Sequence, residues 1–85
     1  MTTIITVIPS DIANGRPRNE LFNPIVLALR RSLNDGEVEI TLQKKFVVVD
    51  GLGKALLPPD AVAFNKRFND GLAVEPITFA VEIKP

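Results

Sequence analysis

Between Leu33 and Val38 the spacing of apolar side chains switches from every fourth residue to every second. Upstream, Ile25, Leu29 and Leu33 recur at the interval of one helix stripe, with Phe22 and Val26 beside them. Downstream, Val38, Ile40 and Leu42 alternate with Glu37, Glu39, Thr41 and Gln43, as in a strand buried on one face. A chain that changes period over so few residues needs a mixed helix-and-strand fold.

Turn chemistry divides the rest. Thr3 to Ile8 is β-branched throughout and stops at Pro9 and Ser10, which predicts a first strand. Ser10 is expected to cap one turn, "SDIANG", closed by a left-handed Gly15. Asn23 and Pro24 suit the N-cap and first position of a helix. Arg30 and Arg31 fall near its negative end, and Gly36 is expected to close it after Asn34 and Asp35. Lys44 and Lys45 mark a tight turn before "FVVVD", Phe46 to Asp50, which is apolar on both faces and predicts a strand between neighbours. "GLGKALLPPD" reads as a loop. A second helix from Pro58 or Pro59 places Ala61, Phe64 and Phe68 on its buried side, Asn65, Lys66 and Arg67 on the other, and ends at Asp70 and Gly71. Ile77 to Ile83 alternates as a last strand.

The resulting β-α-β-β-α-β order predicts a single α+β domain over residues 1–85, a ferredoxin-like antiparallel sheet with two helices on one face. In that topology the first and third strands are central, and they are the two without polar alternation. No repeat, low-complexity segment or dividing linker interrupts the chain.

Composition narrows the chemistry. The chain lacks His, Cys, Tyr and Trp, hence the usual proton shuttle, the best nucleophile and the soft or imidazole metal ligands. No metal or organic cofactor and no enzymatic activity are expected. Glu37 and Glu39 lie on the polar face of an edge strand, where their pKa values have little reason to move. Ser10 and Ser32 have no base to activate them. "DGLGKA" follows a strand but fails the phosphate-loop spacing, because its glycines are one residue apart and no helix begins at once. Ten Lys and Arg cancel ten Asp and Glu, so net charge selects no partner. The first residues carry no basic segment and only a brief apolar run, so a cytoplasmic location is expected.

Two binding readings follow. An RNA platform would need stacking aromatics on the central strands, and only Phe46 is present. Arg16, Arg18, Arg30 and Arg31 could join Lys44 or Lys45 in a weak nucleic-acid patch, diluted by Glu20, Asp35, Glu37 and Glu39. Arg30 and Arg31 already suit a helix end, whereas Arg16 and Arg18 in "GRPRN" have no structural role in the pattern. The stronger reading is a protein-interaction module. Two short helices cover one sheet face, which leaves either Phe46 with Val48 or Val47 with Val49 pointing outward, and either Ile4 with Ile8 or Ile5 with Val7. That face, with Val47 and Val48 as candidate contacts, predicts a symmetric dimer or another protein partner, unless a loop such as Gly51 to Leu57 or the N-terminal loop folds over it.

The segments "DIANG", "NPIVLALRRSL", "LPPDAVAFNKRFNDG" and "VEPITFAVEI" resemble a group of short uncharacterised proteins from bacteriophages and bacterial mobile elements. The resemblance covers nearly the whole chain. It implies origin in a phage or similar element, with no activity attached. In that setting the interaction module read from the missing catalytic groups and the exposed apolar face would be an accessory factor binding a host or phage protein inside a bacterium. The group carries a cysteine before the proline that opens the first long helix, and this chain has Asn23 there.

Overall fold

Every strand hides one alternate set of side chains and shows the other, and this decides the architecture. The computed structural model of the chain describes every residue except Glu20 and Asp35. Its elements are β1 (Thr2–Val7), α1 (Pro9–Asn14), α2 (Pro24–Leu33), β2 (Ile40–Leu42), β3 (Phe46–Val49), β4 (Gly53–Leu56), α3 (Pro59–Asn69) and β5 (Ile77–Glu82). Ile5 and Val7, Ile40 and Leu42, Val47 and Val49, Ala55, and Phe79 and Val81 point into one core with Ile25, Val26 and Leu29 of α2 and Ala61 and Phe64 of α3. The helices therefore cover one face of the strands, and the intervening residues form an uncovered face.

The ferredoxin-like order is not what the strands form. β1 pairs with β5, and β2, β3 and β4 form a second antiparallel sheet. The expected pairing of β1 with β3 is absent. In its place the stretch read as a loop after β3 supplies β4, whose Lys54 exchanges backbone hydrogen bonds of 2.8 and 2.9 Å with Lys84 and joins the two sheets edge to edge. An unbroken apolar run identified β1 and β3 as strands but could not say what lay beside them. Each leaves half of its apolar residues uncovered, so neither is buried on both faces.

The reason β1 can stand at an edge is visible in its hydrogen bonds. Met1 and Ile83 pair through their backbones, so odd-numbered residues of β1 face β5 and even-numbered ones face away. Three outward groups are met by the helices: Ser32 Oγ donates to Ile4 O at 2.9 Å, Arg31 Nη2 donates to Thr6 O at 2.7 Å, and the Ile8 N–H donates to Asp11 Oδ2 at 3.0 Å. A further strand would have to displace these contacts to add there. At the other end of the assembly β2 pairs only with β3. Arg30 Nε donates to Val38 O at 3.2 Å just ahead of it, while the outer edge of Ile40 to Leu42 stays open.

Helix ends follow the sequence with three corrections. Asn23 caps α2 as expected, its side chain accepting from the Ile25 N–H at 2.8 Å. Asn34, at φ 54°, rather than Gly36, makes the left-handed exit, and Asp35 lies outside the described residues. In α1, Pro9 takes the first helical position, so Asp11 and not Ser10 serves the N-terminus. Gly15 is extended at φ −72°, and its missing side chain answers a packing need: a Cβ there would lie 2.8 Å from Pro24 Cγ. Phe22 is exposed rather than part of the α2 stripe, and Asn65, expected on the outer side of its helix, is buried.

Gly53 carries the junction between the sheets. Its φ is 131°, and a Cβ would overlap the Lys84 carbonyl that the bridge uses. Gly53→Ala is expected to cost at least about 2 kcal/mol in urea unfolding and to unpair Lys54 from Lys84. Gly36→Ala, with nothing within 4 Å of the new methyl, should stay within about 0.5 kcal/mol.

Candidate interaction surfaces

On the uncovered face the cross-strand register sets apolar groups side by side. Phe46 lies opposite Leu56, Val48 opposite Lys54, and Ile4 opposite Ala80. Leu56 is 75% exposed and Ile4 57%, large values for aliphatic side chains on a sheet. The Lys54 ammonium sits 5.1 Å from the centre of the Phe46 ring. A hollow of about 530 Å³ between Val48, Leu56, Glu82 and Lys84 continues this surface. Glu82 is held below the usual carboxylate range by the Thr2 hydroxyl and then by the N-terminal ammonium. Of the two candidate valines, Val48 belongs to this face, whereas Val47 is fully buried in the core and cannot meet a partner.

The four arginines do not form one patch. Arg31 binds the buried Asp11 carboxylate through two nitrogens at 2.7 and 2.8 Å. Arg30 is spent on Val38 O. Arg16 lies with its guanidinium carbon 5.5 Å from the Phe22 ring centre, and shares a shallow hollow with Asp11 and Arg31. Arg18 lies elsewhere, at φ 60°, its backbone N–H donating to Asn69 Oδ1 at 3.0 Å.

Arg18 opens onto a cleft that the sequence reading missed. It measures about 350 Å³ and is lined by Asn19, Asn23, Asn65, Asn69 and Lys44 together with Leu42, Gln43 and Arg18. Asn23 and Asn65 are both buried, and the Asn23 amide donates to Asn65 Oδ1 at 2.6 Å. The available signal was the spacing of Asn65 and Asn69, one helical turn apart on α3; nothing in the sequence placed Asn23 opposite them.

Among the described residues no group of three or more carboxylates could hold a metal ion, and no helix is long and apolar enough to cross a membrane. No family model, curated protein or solved structure matches the chain. The surfaces are therefore judged on their own chemistry.

Asp11 and Arg31 give a measurable signature. Burial alone would raise the Asp11 pKa, but the Arg31 hydrogen bonds, the Ile8 N–H and the Arg31 charge together hold it below the usual carboxylate range. A depressed folded pKa contributes stability above the unfolded value, about pH 4, and that contribution is lost as pH falls through the folded value. Asp11→Asn is expected to lose about 1–3 kcal/mol at neutral pH, toward the lower end because the Arg31 side chain is 47% exposed. The gap between variant and parent in urea unfolding should narrow below about pH 4.

Proposed function

We propose that this chain is a non-enzymatic protein-interaction module that acts as a symmetric dimer through the uncovered face of its sheet. The observation that supports the reading is Leu56, three-quarters exposed beside Phe46 and Val48 on a face no helix covers, with Ile4 exposed on the same face across β5. Covering one such leucine contributes about 1.5–3 kcal/mol, so a few of these contacts suffice for a dimer.

Charge supports a second copy as the occupant. Glu82 stands beside Lys54 and Lys84 at the margin of the apolar row. The face thus carries both signs of charge, with Glu82 also held by Thr2 and the N-terminal ammonium, so two copies can meet on it with little net repulsion. The polar groups that could otherwise suggest catalysis have structural partners: Asp11 is held by Arg31, and Asn23 caps α2. The dispersal of the arginines removes support from the nucleic-acid alternative. The segments shared in character with phage and mobile-element proteins make an accessory role in a bacterial host the setting of this proposal.

Size exclusion with light scattering over a range of concentrations is expected to show a dimer for the parent chain and a monomer for Leu56→Lys, both folded by circular dichroism. A parent chain that is monomeric at every concentration, with no gain in solubility on Val48→Lys, rejects the reading.

A further inference from the structure

The amides of the Arg18 cleft are oriented by their neighbours, and the orientation leaves donors to spare. The Ile25 N–H must meet an oxygen, so Asn23 turns Oδ1 toward it and its NH2 toward Asn65. Asn65 therefore accepts with Oδ1, which also lies 3.5 Å from Asn69 Nδ2, and its own NH2 is left over. Asn69 is fixed in the same way, because its Oδ1 accepts from the Arg18 N–H. The Asn65 NH2, the Arg18 guanidinium and the Lys44 ammonium have no hydrogen-bond or ion-pair partner among the described residues. All three line the same cleft, and none of its described lining residues is a carboxylate. Asp70, in an adjoining hollow that shares Lys44, Asn65 and Asn69, is bound by Lys66 at 2.8 Å, and its charge reaches Arg18 only as a weaker, longer-range attraction.

Such a cleft offers more donors than acceptors and carries two positive side chains. A water accepts at most two hydrogen bonds and carries no charge, but a group with several acceptor oxygens and a negative charge answers all three together. We propose that this cleft binds the oxyanion group of a small ligand, a phosphate monoester or a carboxylate. Arg18 and Lys44 supply charge, and Asn65 a directed hydrogen bond. A cavity of about 350 Å³ fits a molecule of a few carbons beyond the anion. The Arg18 backbone lies in the left-handed region with its N–H bound by Asn69, which fixes this residue in the lining of the cleft. The site lies apart from the sheet face and does not depend on dimer formation.

The test is a titration of the 15N-labelled chain with ribose 5-phosphate and, separately, with succinate, at constant ionic strength set by sodium chloride. The Asn65 side-chain NH2 signals and the Arg18 Nε–H are expected to shift saturably with at least one of the two, and whichever binds more tightly names the anion class. Arg18→Gln, at an exposed residue, should weaken that binding about tenfold without loss of fold, and Leu56→Lys should leave it unchanged. Signals that do not move with either compound overturn the proposal. So do shifts that chloride alone reproduces, or shifts of equal size and midpoint in Arg18→Gln.

Discussion

The fork of hydrogen bonds from Arg31 is the constraint on which the rest of the arrangement depends. One guanidinium holds the buried Asp11 carboxylate and the Thr6 carbonyl, and Asp11 in turn receives the Ile8 N–H. These contacts tie α1 and α2 to the free side of β1 at the point where the chain leaves the strand. Because that side is closed, β1 takes its one strand partner on the other side, and β5 becomes that partner. The far edge of the β5 segment then meets β4 through Lys84. A cation that the sequence pattern assigns to a helix dipole thus decides which strands are neighbours.

Burial on one side only has a consequence for the apolar content. Nearly half of the residues are hydrophobic, more than three short helices and one face of the strands can hide. Part of the surplus lies in loops, as at Leu21 and Leu72, and part on the opposite strand face at Ile4, Val48 and Leu56, where Lys54 and Lys84 keep it hydrated. The same excess that secures a core in so short a chain supplies a surface suited to association.

Much of this was legible in the sequence, and the failures have physical causes. The Asn23–Pro24 entry to α2, the Lys44–Lys45 hairpin, the buried side of α3 and the alternation of the last strand were readable because each rests on local geometry. β4 was not readable, since it opens on a glycine-rich stretch, runs into Pro58 and Pro59 and has a single core residue, Ala55, and its order depends on a bridge to Lys84 far along the chain. The outward choice between Val47 and Val48 required the register. Asn65 looked like a surface residue because its partner, Asn23, is 42 positions away.

The open side of β2 gives the molecule an asymmetry in how it resists aggregation. β1 has its Ile4 and Thr6 carbonyls and the following Ile8 N–H occupied by the helices, whereas ahead of β2 Arg30 meets the Val38 carbonyl, and the three residues beyond it remain free to template another chain. Brevity is then the main safeguard, since a strand of three residues offers too few hydrogen bonds to capture a passing segment for long. Arg30 keeps that strand from growing toward its N-terminal side, and in this sense an arginine whose contact is a backbone carbonyl acts as a gatekeeper against fibrous growth.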